Sequence, residues 1–456
     1  MTDAVRKVSA EAAVLNKHCD LIDDLIGGTD AMRAAGERRL PKWPNEDPES
    51  YKTRLAVATL FPAYQRTVEV LGAKPFSKPL TLGEDVPVRS RAWCESVDRG
   101  ERNLHSFLSE VGQEALGYGF SGILVDYPET KDKYGRPIYV TKADEDAAGV
   151  RPYFIQIHPR NILGWSKDEK GLSQLRLLEL VSEQDGEFAT KDVEQVRVLR
   201  RGSWQTWRQS DDQKKEWRIY AEGATTLKTI PFVPVYGNRL GFMRARPALL
   251  EIAHANVEHW QTKSDRQVNL HMLSVPILFA KMLAAAVLTV GAGAAVKAEH
   301  PDADMKFVEM SGVAVEAGRQ VLLDLEDQMR QAGAELLIIK PGGISVAQTL
   351  ADNEQGTCVL QKVAQNIEDA ADQALQLMAE WVGEAQGGHV TIYKDFGATT
   401  LAEASAELLF KSASAGKLSG ESYFRELQRR GILSPDLKWE EEVERIAAQG
   451  PVLGAL

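Results

Sequence analysis

The sequence predicts an α+β fold, mainly helical, with an antiparallel sheet set between helical stretches. Three observations carry that expectation. Ala248 to Leu273 repeats Leu250, Ala253, Val257 and Trp260 at helical spacing. Thr349 to Val382 places Leu360, Val363, Ile367, Ala371, Ala374 and Met378 three and four apart, the period of a helix seam. Between Ile138 and Val235 the pattern changes to short runs rich in β-branched and aromatic residues. These are PYFIQIHP, RLLELVSE, QVRVLRRGSWQTWR and EWRIYAEG, separated by charged or glycine-containing turns.

The remaining elements follow in chain order. Ser9 to Ala35 has the pattern of one polar amphipathic helix, with Gly36 just past its end. LPKWPNEDPES, Leu40 to Ser50, is a proline-rich linker ending in a helix start, Asp47 ahead of Pro48 and Glu49. Tyr51, Leu55 and Ala58 mark one helical face, and Tyr64, Val68 and Leu71 another beyond Pro62. GAKPFSKPL, Gly72 to Leu80, breaks the pattern, and Asn103 to Leu116 is helical again. A short buried strand is expected over Ile123 to Tyr127. Asp185 to Lys191 and Asp211 to Lys215 read as solvated hairpin tips. Ser274 to Gly318 is short-stranded, with a charged tip at HPDADMK, His300 to Lys306. Arg319 to Ala332 returns to helix with Val321, Leu322, Leu325 and Met329 inward. KPGGISV, Lys340 to Val346, is a loop, and the tail from Thr400 to Gln449 is helical.

The helix after Ala248 has an unusual second half. Beyond Trp260 its apolar stripe is lost, and Lys263, Asp265, Arg266, Gln267 and Asn269 point all ways. A helix with no apolar side does not bury itself in its own domain; it bridges water or packs sideways against copies of itself. That favours an assembly protein over a compact enzyme.

Composition narrows the classes. At 456 residues, the length suggests roughly three domains or one interwoven fold. Apolar content of 44% and charged content of 26% are those of a folded soluble protein. The net charge of −11 argues against a protein that wraps phosphates in Lys and Arg, but leaves room for one through which DNA slides without being gripped. Cys19, Cys94 and Cys358 are widely spaced and read as free thiols in a reducing compartment. The N-terminus lacks a signal-peptide layout. The most apolar run, Met282 to Val296, is shorter than the ~20 residues a membrane span needs.

No motif supports catalysis, a metal or a cofactor. GYGFSG, Gly117 to Gly122, matches G-x-G-x-x-G, but it follows a helix and opens a strand, the reverse of a dinucleotide site. It is expected to be a helix C-cap turning into the sheet. Ser121 lies outside a G-x-S-x-G elbow. His254 and His259, five apart, lie on different helix faces. There is no H-E-x-x-H, C-x-x-C or P-loop pattern. Asp302 with Asp304, and Glu368 with Asp369, read as solvated faces. Trp204 and Trp207, three apart, do not share a strand face and read as sheet packing. Lys263 and Arg266 either touch passing phosphates or bridge to Asp265 of a neighbouring copy.

The ordered set of elements resembles the portal proteins of tailed bacteriophages, within a portal-like family known only as a domain of unknown function. The resemblance runs from about Asp47 to the C-terminus. Its most specific pieces are YKTRLAVATLFPAYQRTVEVLGAKPFSKPL, GYGFSGILVDYP, IPFVPVYGN followed by LLEIAHANVEHWQTKSDRQVNLHMLSVPILF, LEDQMRQAGAELL, and GKLSGESYFRELQRRGILSPDLKWEEEVERI. One departure falls at VAQTLADNEQ, Val346 to Gln355, where a Thr-Ala-Thr-Glu-like stretch is expected.

The resemblance implies a portal-protein fold that assembles into a ring, commonly a dodecamer, at one capsid vertex. It implies a wing over residues 1–245, a stem helix over 246–273, a small α/β clip over 274–318, a second stem helix over 319–332, a tunnel loop with a long wing helix over 333–399, and a helical crown over 400–456. It implies a structural, non-enzymatic channel for packaging and ejecting double-stranded DNA, assembled in the bacterial host cytoplasm and carried in the virion. The implied partners are copies of itself, the large terminase subunit, a head–tail connector, and the major capsid and scaffolding proteins, with no membrane and no cofactor. By mapped position and charge, Lys263, Arg266, Lys340, Gly342, Gly343 and Ser345 are the candidates facing DNA. Asp302, Asp304 and Lys306 are the candidates for docking at the clip. The acidic outer faces of the Thr349 to Val382 helix are a candidate channel lining. Two other classes stay open: a nucleotide-binding enzyme using GYGFSG, and another capsid or head–tail connector subunit.

Overall fold

Helices and antiparallel strands alternate along the chain in the computed structural model, which describes residues 2–128, 130, 136–210, 215–274, 277–281, 301–302, 304–308, 313–336, 358–394, 403–429, 433 and 437–448. The helices are α1 (Ala10–Leu15), α2 (Cys19–Ile26), α3 (Gly28–Ala35), α4 (Pro48–Val57), α5 (Ala63–Ala73), α6 (Val88–Trp93), α7 (Leu104–Tyr118), α8 (Lys142–Ala147), α9 (Leu250–Ser274), α10 (Val313–Glu335), α11 (Val359–Val382), α12 (Glu403–Ser414), α13 (Gly420–Arg429) and α14 (Trp439–Ala448). The strands are β1 (Thr81–Leu82), β2 (Phe120–Asp126), β3 (Tyr153–Ile157), β4 (Ile162–Asp168), β5 (Gly171–Asp185), β6 (Ala189–Arg200), β7 (Ser203–Gln209), β8 (Trp217–Ala224), β9 (Phe232–Tyr236), β10 (Arg239–Gly241), β11 (Arg244–Ala245), β12 (Ile277–Lys281), β13 (Asp304–Val308) and β14 (Val390–Thr391). The chain divides into two units: residues 1–18, 68–248 and 334–456, and residues 19–67 and 249–333.

The first unit holds two principal sheets. One is five-stranded in the order β4-β5-β6-β7-β8, each strand pairing with its sequence neighbour. The other is three-stranded in the order β3-β2-β9. The strand PYFIQIHP therefore belongs to a different sheet from the three runs that follow it. The expectation of one sheet also passes over β4 and the short helix α8.

Alternation along the strands sorts the core. Leu175, Leu177 and Leu199 lie on one face of the larger sheet and join Phe120, Leu124, Ile157, Phe232 and Tyr236 of the smaller one. Val196 and Val198 lie on the other face with Leu163 and Trp217. Trp204 packs on the first face and Trp207 on the second, so the pair is sheet packing rather than a paired surface. The far end of the β5–β6 ribbon leaves the core, with Leu180 73% and Phe188 94% exposed.

α7 and α11 pack against the smaller sheet. α7 is capped by Asn103, whose side chain accepts from the Ser106 amide at 2.8 Å. It ends at Gly119, in the left-handed conformation at φ 83°, and the chain turns straight into β2. α11 buries Leu360, Val363, Ile367, Ala371, Ala374 and Met378, as the seam predicts. It also buries Ala364, Ala370, Leu375 and Ala379, so it is a core helix covered on a broad side.

Three sequence expectations are corrected here. The helix expected from Thr349 begins at Val359: Cys358 has extended backbone (φ −74°, ψ 162°), and its sulfur and the Gln361 side chain form a reciprocal cap. Thr349 to Thr357 lie outside the described residues. The helix expected over Ser9 to Ala35 is three helices, interrupted after Asn16 and again at Gly28, whose φ of +72° cannot continue a helical turn. On α4 the inward residues are Tyr51 and Arg54, with Leu55 only partly covered.

Candidate functional site

The site is built on α9 and α10 in the second unit. The first half of α9 buries Leu250, Ala253 and Trp260 as its spacing predicts, and Ile252 besides, while Val257 is only partly covered. The same helix also buries three polar residues, Asn256, His259 and Ser264. Buried polar groups need partners, and Asn256 has two. Its Oδ1 accepts the Tyr64 amide at 3.0 Å, and its Nδ2 donates to the Phe61 carbonyl at 2.8 Å. The Pro62 corner is thereby held on α9. Past Ser264 the helix reaches solvent, with Gln267, Asn269, Leu270 and His271 exposed.

Part of the polar half is nonetheless used inside its own unit, against the sequence expectation. Gln261 donates to the Arg39 carbonyl at 3.0 Å. Asp265, one candidate partner for Lys263 or Arg266 of a neighbouring copy, lies 3.5 Å from Arg54 of the same chain. Burial raises the Asp265 pKa above its ordinary value, with Arg54 opposing.

His259, Lys263 and Arg266 stand at i, i+4 and i+7 and so share one face of α9. Arg319, Leu322, Leu323 and Glu326 present the matching face of α10. With Phe61 these residues line a recess of about 160 Å³. Glu326 Oε1 lies 3.3 Å from His259 Nε2, and the Phe61 ring packs on the imidazole at a centroid distance of 5.3 Å. Burial, with a smaller contribution from Lys263, lowers the His259 pKa against the opposing pull of Glu326. The imidazole is then neutral at neutral pH, and its single N–H points at Glu326.

The cations are held differently. Arg319 donates from Nε to both Glu316 oxygens at 2.9 and 3.0 Å. Arg266 lays its aliphatic stem over Gly318, where a Cβ would meet its carbons at 3.8–3.9 Å. Its Nε is buried and has no hydrogen-bond partner among the described residues. Lys263 likewise has no ion pair or hydrogen bond among them. The recess thus holds three cations beside the Glu326 carboxylate, in a chain of net charge −11.

Other predicted residues lie elsewhere. β12 and β13 pair antiparallel in the same unit, with Lys281 opposite Asp304 and Phe279 opposite Lys306. Asp302, Asp304 and Lys306 are exposed there, and Lys306 lies 5.9 Å from the Phe279 ring centre. Lys340, Gly342, Gly343 and Ser345 lie outside the described residues, as does Met282 to Val296.

On α11, Asp369 and Glu380 are exposed, while Glu368 and Asp372 are engaged within the chain. Glu368 accepts the Ile392 amide at 3.0 Å and Lys394 Nζ at 2.7 Å, and Asp372 accepts the Val390 amide at 2.7 Å. These carboxylates hold the β14 segment to the helix. On α10, Val321 is 44% exposed, so the inward line is Leu322, Leu325 and Met329, continued by buried Gly333.

GYGFSG is closed to a phosphate. A Cβ on Gly119 would lie 2.4 Å from the Arg246 carbonyl carbon, and one on Gly122 would lie 2.5 Å from the Phe232 ring. The glycines admit the protein's own chain, not a ligand. Ser121 is buried and donates to Glu114 at 2.7 Å. Among the described residues no group of acidic, His or Cys side chains is arranged to hold a metal. No described helix is long and apolar enough to cross a membrane.

Sequence reading found Lys263 and Arg266 but missed Asn256, Arg319 and Glu326. The available signal was the spacing of His259, Lys263 and Arg266 on one helix and of Arg319 and Glu326 on another.

A family model described as a domain of unknown function, DUF4055, matches residues 248–382, which include this site. No curated protein sequence matches the chain. Among solved structures, the chain is similar to one from the neck of an empty GTA particle computed with C6 symmetry. The identity is 11% and the TM-score 0.41, over 93% of this chain and 99% of that one. A chain of the virion of a native gene transfer agent (GTA) particle is 10% identical, with a TM-score of 0.38 over 92% and 99%. A chain of the native GTA neck computed with C12 symmetry is 10% identical, with a TM-score of 0.39 over 89% and 99%. The family match is to a domain of unknown function, the description under which the resembling family is known.

Proposed function

We propose that this chain is a portal subunit of a phage-like particle, a non-enzymatic protein whose copies form a ring around a channel for double-stranded DNA. The observation that supports the reading is the run α9–β12–β13–α10. Helices of 25 and 23 residues bracket a two-stranded antiparallel pair in the chain. Both keep long polar flanks: α9 exposes Gln267, Asn269, Leu270 and His271, and the described part of α10 buries only a narrow line. Flanks of that kind suit heterologous contacts with neighbours in a closed ring.

In this reading α9 and α10 are the paired stem helices and β12–β13 is the clip. Residues 1–245 form the wing, joined by α11, and the helices after Thr400 form the crown. By mapped position alone, Lys340, Gly342, Gly343 and Ser345 are the further candidates to meet DNA. Asp302, Asp304 and Lys306, exposed on the clip, dock the large terminase subunit and later the head–tail connector. A chain of net charge −11 lets the duplex slide with few counterion-releasing contacts.

Light scattering on the eluting full-length chain, followed by negative-stain imaging, tests the reading. The expected result is a particle many times the 50.3 kDa chain mass, seen end-on as a ring with a central hole. A folded chain that stays monomeric at high concentration and shows no rings overturns it.

A further inference from the structure

We propose that the recess between α9 and α10 binds a phosphate-type oxyanion through Lys263, Arg266 and Arg319. This goes beyond the ring reading and needs only one folded chain.

Four features carry it. First, three cations line a recess of about 160 Å³, a space suited to one small anion rather than a peptide. Second, two of them keep donors unused, although Arg266 lies near enough to Glu316 to help lower its pKa. Lys263 has no counter-ion among the described residues, and the buried Arg266 Nε–H has no acceptor there. A buried donor without an acceptor is unfavourable until one arrives. Third, Phe61, Leu322 and Leu323 form an apolar wall, which lowers the local dielectric and strengthens a charged contact. Fourth, the Arg266 stem passes beside Gly318, which has no side chain to crowd it, and the geometry of its guanidinium fork matches phosphate oxygens.

Glu326, the carboxylate in the lining, opposes an anion. Its Oε1 is turned to His259 Nε2, which leaves the Lys263–Arg266 side to the ligand. Arg319 is shared with Glu316 and adds charge more than free donors. The same chemistry fits a free phosphate and a phosphodiester of a DNA backbone.

Titration calorimetry and thermal melts of the full-length chain with inorganic phosphate and sulfate, against chloride at matched ionic strength, test the proposal. Wild type is expected to bind saturably, with a melting temperature raised by phosphate or sulfate over chloride. Lys263→Met/Arg266→Gln should weaken binding at least tenfold, and Arg266→Lys by less. Asp304→Asn on the clip should bind like wild type. Each variant is compared only where its melt in chloride matches wild type; the single Lys263→Met variant serves if the double one does not fold.

A short duplex then identifies the source. If phosphate displaces it from wild type but not from the double variant, the site takes backbone phosphates. If it does not compete, the ligand is a free oxyanion. Absent saturable binding by wild type, or equal binding by the double variant, overturns the proposal. So does loss of assembly in the double variant with no phosphate binding by wild type, which would give the recess to an acidic side chain of a second copy.

Discussion

Arg54 and Glu46 form a two-pronged ion pair inside the second unit: Arg54 Nε and Nη2 each reach a different Glu46 oxygen at 2.8 Å, with the guanidinium 4.2 Å above the Trp43 ring. The two side chains are 2% and 6% exposed. Arg54 holds the Glu46 carboxyl below its ordinary pKa. A third contact runs to the Pro41 carbonyl at 2.8 Å, so one side chain ties down the proline-rich linker.

Removing one member strands the other. Arg54→Ala or Glu46→Ala should cost about 3–5 kcal/mol of unfolding free energy in urea melts. Arg54→Met with Glu46→Leu together should cost less than the two single losses added, because neither charge is left alone. Additive costs would contradict a coupled pair.

Glu114 makes stability depend on pH. Burial pushes its carboxyl up to about 7, against the hydrogen bonds from Ser121 and Gln156. The folded state therefore prefers the protonated form. The contribution is complete below the unfolded value near 4.5, declines as pH rises from there to about 7, and is lost above. The loss is of order 3 kcal/mol. Glu114→Gln should remove this slope and melt higher than wild type at pH 8, with little difference at pH 4.5. Parallel pH profiles for the two proteins would refute the assignment.

Asn256→Ala should cost about 2–4 kcal/mol, since it leaves the Tyr64 amide and the Phe61 carbonyl without their side-chain partner. Denaturant melts measure it. A cost below about 0.5 kcal/mol would mean that the Pro62 corner holds its shape without the clamp.

The fading of the α9 stripe has an energetic counterpart. Trp260→Ala, at a fully buried position, should cost about 3–5 kcal/mol. Gln267→Ala and Asn269→Ala, at exposed positions, should stay within about 0.5 kcal/mol in the isolated chain. Equal costs at the three positions would show that the second half of α9 is packed as tightly as the first.

Local pattern decided much of the architecture. Periodicity placed α7, α9 and α11 and the inward residues of α11, because a covered helix repeats its apolar residues wherever it sits. Alternation placed β5, β6 and β8, and Asp47 before Pro48 marked the start of α4. The reversed order of GYGFSG argued against a phosphate cradle before any coordinates. The lysine and arginine of the recess were legible as charges on the weak half of a helix.

Only the tertiary structure decided what those charges meet. Sequence spacing says which residues share a helix face, but not which face of another element lies opposite. Arg54 was invisible as a core residue because an arginine is buried only when a distant carboxylate and ring receive it. Asp265 was one candidate partner for a neighbour's Lys263 or Arg266, and lies 3.5 Å from Arg54 of its own chain. Glu368 looked solvated because the Ile392 amide it accepts lies far downstream in the chain. Apolar burial is written locally as a period, whereas the pairing of polar groups depends on contacts between segments far apart in sequence, which no period records.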